Sequence, residues 1–154
     1  MFRERMLRLA EENGFEIGER ALSRFEKYCG LLLERNREMN LTAVTDEDEV
    51  AERHFIDSLM PLKAGVRDGA SLIDIGTGAG FPGLPLKILC PGIRLTLLDS
   101  LGKRVDFLRE VCEELDLEGV ELVNARAEEG SLRRGLRDSF DFAVSRAVAR
   151  MSVL

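Results

Sequence analysis

The chain contains 154 residues, of which 45% are hydrophobic and 32% are charged, and its net charge at pH 7 is −6. This length allows one domain with a sizeable core and excludes two ordinary domains. No apolar run reaches the roughly 20 residues that a membrane span requires, and the first five residues (MFRER) do not begin a signal peptide. We therefore expect a soluble, cytoplasmic protein without a membrane partner.

The cysteine and histidine content argues against a metal site. The three cysteines, Cys29, Cys90 and Cys112, are widely spaced within apolar patterns, which is typical of thiols that pack in a core in a reducing compartment. With one histidine and no Cys-x-x-Cys motif in the chain, a zinc site has few ligands to draw on. The sequence predicts no bound metal.

Acidic residues are concentrated in two stretches. Residues 46–57 carry a net charge of −5 and residues 110–121 a net charge of −6, so the remainder of the chain carries +5. Nucleic acids bind to basic surfaces, and the distribution of charge matters more than its sum. An RNA-binding face is therefore compatible with this sequence only if both acidic stretches point away from it.

The first part of the chain has the pattern of two helices. They are predicted at residues 3–12 and about 18–39, where apolar residues recur at spacings of three and four. Asn13 and Gly14, a pair typical of a helix C-cap, separate them. We expect both helices to pack against the rest of the fold through one apolar stripe.

A third helix is predicted from Thr45, which has the spacing of a capping box with Asp48, to about residue 59. Three polar side chains lie on neighbouring faces of this helix: His54, Asp57 and Ser58. Their chemistry is compatible with catalysis, but a hydrolase triad normally takes its members from separate elements. A structural polar network is the favoured interpretation.

The most informative stretch is residues 71–83, SLIDIGTGAGFPG. Its first part is a short apolar run, which predicts a buried parallel strand. The glycines that follow allow positive φ and remove the Cβ, so that the backbone can pass close to a ligand. A helix is then expected to begin at Pro82 and to end at about residue 90. We predict that a small polar ligand binds on the loop.

The glycines of this loop can be read in two registers, which predict different ligands. Gly78-x-Gly80-x-x-Gly83 matches the dinucleotide fingerprint literally. Asp74-x-Gly76-x-Gly78-x-Gly80 resembles motif I of the class I S-adenosylmethionine-dependent methyltransferases. We favour the second register, because the Asp74 carboxylate suits the positively charged amino group of a methionine moiety, directly or through water, and would repel a pyrophosphate.

Three further strands are predicted, at residues 93–98, 120–123 and 140–144. The alternation of strands and helices after about residue 70 is typical of a parallel sheet with right-handed crossovers. Asp99 follows the second strand and is therefore placed to accept hydrogen bonds from ribose hydroxyls.

Blocks of sequence along the chain match one family pattern in order. They are NLTAVT at 40–45, HFIDSL at 54–59, DIGTGAGFPGLP at 74–85, LDSLGKRV at 98–105, ARAE at 125–128 and SRAVA at 145–149. Together they resemble the ribosomal RNA small subunit methyltransferase G family, also called glucose-inhibited division protein B. The resemblance implies an α/β, class I methyltransferase fold. Its Rossmann-like parallel sheet has strands in the order 3-2-1-4 (residues 66–154), and an N-terminal helical extension (1–65) completes one structural domain.

The resemblance also implies a reaction. S-adenosylmethionine would give its methyl group to N7 of a guanine in 16S ribosomal RNA of the 30S subunit and leave as S-adenosylhomocysteine. The implied cofactor contacts are Gly76, Phe81, Ala127, Glu128 and Arg146, of which Arg146 could alternatively meet an RNA phosphate. Our interpretation of the residues themselves adds Asp74, Gly78, Gly80 and Asp99. No catalytic residue is assigned.

One departure from the family pattern leads to further expectations. Members of the family continue through three further strands, whereas this chain stops at Leu154, just after the fourth. The fourth strand is then expected to be an exposed apolar edge, so that the chain self-associates or has low stability. Two alternative functions stay open: an NAD-dependent oxidoreductase, which would use the shifted glycine register, and a cofactor-binding protein without catalysis, which the early stop favours.

Overall fold

The computed structural model describes residues 1–126, 139–147 and 150–153. Its first two elements are α1 (Phe2–Glu12) and α2 (Glu19–Met39), which confirms the two predicted helices to within one residue. The chain leaves α1 through Gly14, whose φ of 78° lies in the left-handed region. In the part of the chain that the structure describes, no helix is long and apolar enough to cross a membrane.

The third helix begins later than the sequence predicted. Its first turn is α3 (Glu47–Glu49), and the N-cap is Asp46 instead of Thr45. The Asp46 carboxylate accepts a hydrogen bond from the backbone N–H of Asp48 at 2.8 Å. Aspartate is a better N-cap than threonine, which explains why the helix starts one residue further along the chain.

The same helix also differs from the prediction in its geometry. Val50–Ile56 form a π-helix, and a 3-10 helix follows at Met60–Ala64. A π-helix makes a wider turn than an α-helix and is frequent at functional sites. The wide turn contains His54.

One sheet of five strands forms the second half of the fold. The strands are β1 (Ser71–Ile75), β2 (Arg94–Asp99), β3 (Val120–Asn124), β4 (Phe142–Ala147) and β5 (Arg150–Val153). Their order is β3-β2-β1-β4-β5, and the first four are parallel. Helices α4 (Gly83–Leu89) and α5 (Gly102–Glu114) follow β1 and β2. The predicted order 3-2-1-4 is therefore confirmed.

The fourth strand starts two residues after its predicted start. Asp141 is bound to the first residue of β1 instead of entering the ladder: its Oδ2 accepts from the Ser71 N–H at 3.0 Å, and its own N–H donates to the Ser71 Oγ at 2.8 Å. The ladder between β1 and β4 begins only at the next pair, Leu72 and Phe142.

The predicted exposed edge at the fourth strand is wrong. β5 pairs antiparallel with β4 from Val144, opposite Val153, to Ala147, opposite Arg150. Backbone N–H and C=O groups that an edge would leave unpaired are therefore bonded within the chain. Sequence reasoning missed β5 because we expected the chain to stop just after the fourth strand, whereas residues 150–153 pair with it.

Buried apolar residues form one cluster that joins the N-terminal helices to the sheet. Four aromatic rings lie near its centre: Phe25, Tyr28, Phe55 and Phe81. Ring centroids are 5.1 Å apart for Phe25 and Phe55, 5.1 Å for Tyr28 and Phe55, and 5.6 Å for Tyr28 and Phe81. Because Phe81 belongs to the glycine-rich stretch, the N-terminal helices support the loop that follows β1.

Candidate functional site

The candidate site lies at the edge of the sheet where the parallel strands end. Asp74 is the next-to-last residue of β1, Asp99 is the last residue of β2 and Arg146 is the next-to-last residue of β4. The carboxyl ends of parallel strands meet at one edge, where open α/β sheets bind their ligands. Residues that the sequence analysis selected from three separate stretches are therefore brought together.

Gly76 and Gly78 shape the open part of the loop. Their φ angles are 69° and 60°, and a Cβ built on either residue would meet nothing within 4 Å. The N–H groups of Gly76 and Thr77 donate to the Leu98 carbonyl at 2.8 and 3.1 Å, which ties the start of the loop to β2. These two glycines are required by their positive φ, and the space beside them is free for a ligand.

Gly80 and Gly83 have a different role, because protein atoms fill the space beside them. A Cβ on Gly80 would collide with the Tyr28 hydroxyl, and one on Gly83 would lie 2.6 Å from Leu97. Both residues therefore allow close packing of the loop and of α4 on their neighbours. Gly80, which we predicted as a cofactor contact, lies in the loop but faces α2, α4 and α5.

Tyr28 connects α2 to the loop, and sequence reasoning missed this contact. The side chain is completely buried, and its hydroxyl donates a hydrogen bond to the Ala79 carbonyl. Burial is the main cause that raises the pKa of Tyr28 well above its ordinary value. A tyrosine within an apolar helical stripe was the available signal, since a buried hydroxyl usually finds a partner.

Asp74 is a buried carboxyl group with one satisfied and one unsatisfied oxygen. Its Oδ2 accepts from the Thr77 hydroxyl at 2.7 Å and from the Gly83 N–H at 2.8 Å, while Oδ1 finds no hydrogen-bond partner among the described residues. Burial is the main cause that raises the pKa of Asp74 to about 7, and the nearby Asp99 adds to this shift. The side chain is 0% exposed, so Asp74 supports the loop from beneath.

Asp99 fixes the loop from the side of β2. Its Oδ2 accepts from the Gly78 N–H at 2.8 Å, and its Oδ1 accepts from the Leu101 N–H at 2.9 Å. The Arg104 guanidinium is 3.6 Å from Oδ1. A carboxylate offers about four acceptor positions, so Asp99 retains capacity for a ligand after these contacts.

An open groove of about 370 Å³ lies beside Asp99. It is lined by Gly76, Leu98, Asp99, Ser100, Arg104, Ala125 and Arg126. This volume is within the range of small-molecule sites, and the lining combines a carboxylate with two guanidinium groups. Sequence reasoning did not select Arg104 or Arg126, because a basic side chain in a surface pattern gives no signal of its own.

Arg146 is held at the end of β4 by the π-helix. Its Nη1 lies 2.8 Å from the His54 Nδ1, and its Nη2 donates to the Arg53 carbonyl at 2.6 Å. Asp57 is 3.8 Å away, and the guanidinium lies over the Phe81 ring at 5.6 Å. Phe81 and Arg146, both predicted as cofactor contacts, therefore touch each other.

His54 lies at the centre of a polar network. Its ring stacks on Phe81 with centroids 4.4 Å apart and planes 10° from parallel, and its Nε2 is 2.7 Å from the Thr42 Oγ1. Burial, followed by the positive charges of Arg146 and Arg53, lowers the pKa of His54 to about 4. A polar network is present, but its members differ from those predicted: the ring nitrogens of His54 contact Thr42 and Arg146, and Asp57 pairs with Arg146. Ser58 donates to the His54 backbone carbonyl.

Two predicted contacts, Ala127 and Glu128, lie outside the described residues. The described chain reaches Arg126, and the N–H of Ala125 donates to the Asp99 carbonyl at 3.0 Å. The segment after β3 therefore enters the site beside Asp99, and the two contacts stay predictions.

Solved structures show the class of fold. The chain is similar to MtNAS in complex with MTA and tNA, with a TM-score of 0.53 and 22% identity over 85% of this chain and 51% of that one. It is also similar to a coclaurine N-methyltransferase bound to N-methylheliamine and SAH, with a TM-score of 0.51 and 16% identity. This match covers 94% of this chain and 55% of the methyltransferase chain. Together with the strand order, these similarities define a class I, Rossmann-like methyltransferase fold.

Sequence comparisons show the family. The family model described as rRNA small subunit methyltransferase G (GidB) matches residues 21–154. Two relatives named ribosomal RNA small subunit methyltransferase G, from Alkaliphilus metalliredigens and Clostridium botulinum, are 49% and 47% identical over 94% and 99% of this chain. The chain belongs to the rRNA small subunit methyltransferase G family, as the sequence resemblance predicted. It spans 61% and 64% of the length of these two relatives.

Proposed function

We propose that this chain provides the S-adenosylmethionine site of an enzyme that methylates N7 of a guanine in 16S ribosomal RNA. The observation that supports it most directly is the open loop, in which Gly76 and Gly78 leave free space at the carboxyl ends of β1 and β2. Family membership supports an RNA methyltransferase and argues against the NAD-dependent oxidoreductase alternative. The proposed place of action is the cytoplasm, where small subunits are found.

The side chains at this edge fit the parts of S-adenosylmethionine. The Oδ1 atom of Asp74 is buried without a partner among the described residues, and an ammonium group would satisfy it directly or through one water. Asp99 has acceptor capacity for ribose hydroxyls and lines the groove in which a nucleoside would lie. When bound, the cofactor supplies an electrophilic methyl group on a positively charged sulfur.

The chemistry of the acceptor explains why no general base is assigned. Guanine N7 has a lone pair and no proton to lose, so its methylation needs alignment with the methyl group more than proton transfer. Orientation of two reactants can contribute ~7–11 kcal/mol to the lowering of a barrier. A guanine stacked in RNA must also be exposed, at a cost of a few kcal/mol.

Ion pairs partly neutralise the acidic stretch at residues 110–121. Glu110 forms a two-pronged pair with Arg35, with distances of 2.9 and 2.8 Å, and Glu114 lies 3.4 Å from Lys27. Both bases belong to α2. Glu110 and Glu114 are thus turned toward the N-terminal helices, which meets the condition for one of the two acidic stretches. The other stretch, residues 46–57, contains Asp57, which pairs with Arg146 at the site.

Incubation of the chain with tritiated S-adenosylmethionine and undermethylated 30S subunits tests the proposal. We expect label in 16S ribosomal RNA and, after digestion to nucleosides, 7-methylguanosine. A different methylated nucleoside would contradict the N7 assignment but retain the RNA substrate. Binding of the cofactor without label in RNA would favour the cofactor-binding protein without catalysis. The relative from Alkaliphilus metalliredigens, assayed in parallel, controls for the competence of the subunits.

A further inference from the structure

The contacts of Arg146 determine the protonation state of His54. A guanidinium has only donors, so the His54 Nδ1, at 2.8 Å from the Arg146 Nη1, must be an unprotonated acceptor. The ring is therefore neutral, with its proton on Nε2, and this N–H donates to the Thr42 Oγ1 at 2.7 Å. The same hydroxyl accepts from the Val44 N–H at 3.1 Å, which fixes Thr42 in place.

These bonds join four separate parts of the fold at one imidazole. Thr42 belongs to the link after α2, His54 to the π-helix, Phe81 to the glycine-rich stretch and Arg146 to β4. We propose that His54 is a positioning residue: its neutral ring holds the Arg146 guanidinium at the site and so makes cofactor binding depend on the N-terminal helical extension. This inference rests on the proposed function, in which Arg146 contacts the cofactor.

The geometry of the guanidinium supports a positioning role. Nη1 is bound to the His54 ring and Nη2 to the Arg53 carbonyl, and both acceptors are supplied by the π-helix. The Phe81 ring supports one face of the group at 5.6 Å. An arginine side chain has about 2 kcal/mol of rotamer entropy, so contacts that fix it before a ligand arrives lower the cost of binding.

The charged groups around His54 make the neutral state stable. Arg146 faces the ring from β4, Arg53 lies next to it on the π-helix, and both disfavour a positive ring. Asp57 is the nearby carboxylate, but it pairs with Arg146 at 3.8 Å. Thr42 and Phe81, which cover the other sides, carry no charge. Protonation of Nδ1 would turn the acceptor into a donor and break the bond to Arg146.

Nuclear magnetic resonance can test the bond directly, because His54 is the one histidine of the chain. Long-range proton–nitrogen correlations should show the tautomer protonated at Nε2 at neutral pH, with a midpoint far below the ordinary 6.5. Arg146→Met should raise this midpoint, since it removes a positive neighbour. A ring protonated at Nδ1, or an ordinary midpoint that Arg146→Met leaves unchanged, would overturn the proposal.

Two matched variants test the consequence for binding. His54→Phe keeps an aromatic ring on Phe81 but loses the acceptor, whereas His54→Asn keeps an acceptor near the position of Nδ1 and loses the ring. Calorimetric titration with S-adenosylhomocysteine should show affinity about 3- to 10-fold lower for His54→Phe and within about twofold of the parent for His54→Asn. Thermal unfolding confirms that both variants are folded at the titration temperature.

The outcomes separate this inference from the proposed function. Equal losses in the two variants, or no loss in either while the parent binds, would overturn the positioning role of His54. A parent chain that binds no S-adenosylhomocysteine would overturn the proposed cofactor site. In that case the nuclear magnetic resonance measurement would still show whether the neutral His54 ring holds Arg146.

Discussion

At the scale of single residues, Asp74 combines a cost in stability with a proposed gain in binding. Its pKa of about 7, raised from 3.8 mainly by burial, means that the native state holds a proton more tightly than the unfolded state. The stabilising contribution of the neutral form is present below about pH 4 and is lost as the pH rises through 7. At pH 8 the folded protein therefore contains a buried charge that lacks a partner at Oδ1.

Asp74→Asn should therefore stabilise the protein at pH 8. The amide oxygen can accept the hydrogen bonds from Thr77 and Gly83, and the variant carries no buried charge. We expect a rise in the melting temperature of a few degrees at pH 8, equivalent to about 1–2 kcal/mol, and a smaller rise at pH 5. Thermal unfolding at the two pH values measures this difference.

The same variant should bind the cofactor more weakly, because the amide lacks the negative charge with which the carboxylate would attract an ammonium group. Calorimetry at pH 8 gives that comparison. A melting temperature that falls by the same amount at both pH values would show that the carboxylate is not a source of strain in the free protein.

Gly78→Val should abolish cofactor binding while the protein stays folded. The new side chain would enter open space, because a Cβ at this position meets nothing within 4 Å. The cost to folding comes from placing a β-branched residue at a φ of 60°. This strain should lower the free energy of unfolding by about 1–3 kcal/mol. Calorimetric titration with S-adenosylmethionine, together with circular dichroism, measures both effects.

Gly80→Ala is the matched control for this loop. Its methyl group would collide with the Tyr28 hydroxyl and Leu84, so we expect a clear loss of stability instead of a selective loss of binding. If Gly78→Val bound the cofactor with nearly parental affinity, the free space beside Gly78 would not be the ligand site.

Asp99→Ala should weaken cofactor binding by about 1–3 kcal/mol, the range for the loss of a charged hydrogen-bond partner. Part of this effect would come from the loop, since Asp99 also accepts from the Gly78 N–H. Asp106→Ala is the appropriate control, because Asp106 is exposed and pairs only with Arg109 among the contacts described. If calorimetry showed that the two variants lose cofactor affinity equally, the loss would reflect a general effect of negative charge.

At the scale of elements, the sequence predicts best where local signals agree with the fold. The apolar run of β1, the glycines after it and the carboxylate that ends β2 each reflect a local requirement for burial, positive φ or a polar strand end. By contrast, β4 starts later than predicted because Asp141 bonds to Ser71. The π-helix contains His54, whose side-chain partners lie on other elements. Such contacts between distant residues leave no periodic pattern in the sequence.

The placement of the candidate site residues in the fold was predictable to the same extent. Asp74, Gly76, Gly78 and Asp99 belong to the strand ends and the loop, and the structure brings them to one edge of the sheet. Tyr28 and His54 were not selected as supports of the loop, because their partners are a backbone carbonyl and a side chain far away in sequence. Their roles follow from the packing of the N-terminal helices on the sheet.

Tyr28→Phe tests whether α2 supports the loop. The variant keeps the ring in the core but leaves the buried Ala79 carbonyl without its donor, which should lower the free energy of unfolding by about 1–2 kcal/mol. We also expect weaker binding of S-adenosylhomocysteine, because the loop loses a fixed point. Urea unfolding and calorimetry measure the two quantities.

Phe25→Leu provides the comparison for Tyr28→Phe. Phe25 is fully buried and its ring packs against Phe55, so its replacement should reduce stability through lost packing. The folded fraction should nevertheless bind with parental affinity. A Tyr28→Phe variant that loses stability but no affinity would show that the hydroxyl has no influence on the site.

At the scale of the whole molecule, the N-terminal helices and the sheet depend on each other. The apolar cluster runs from Phe2 in α1 to Val144 in β4, and the polar network around His54 connects the same parts at the surface of the site. Within the described residues, β5 covers the strand that we had expected to form an exposed edge. The structural reason for self-association through the fourth strand is thereby removed.

The central claim is that this chain forms a site for S-adenosylmethionine at the carboxyl ends of β1 and β2. Calorimetric titration of the chain with S-adenosylhomocysteine, and separately with NAD⁺, tests it most directly. We predict saturable binding of one S-adenosylhomocysteine per chain and no binding of NAD⁺. Binding of NAD⁺ in its place, or no binding of either ligand by the folded chain, would contradict the claim.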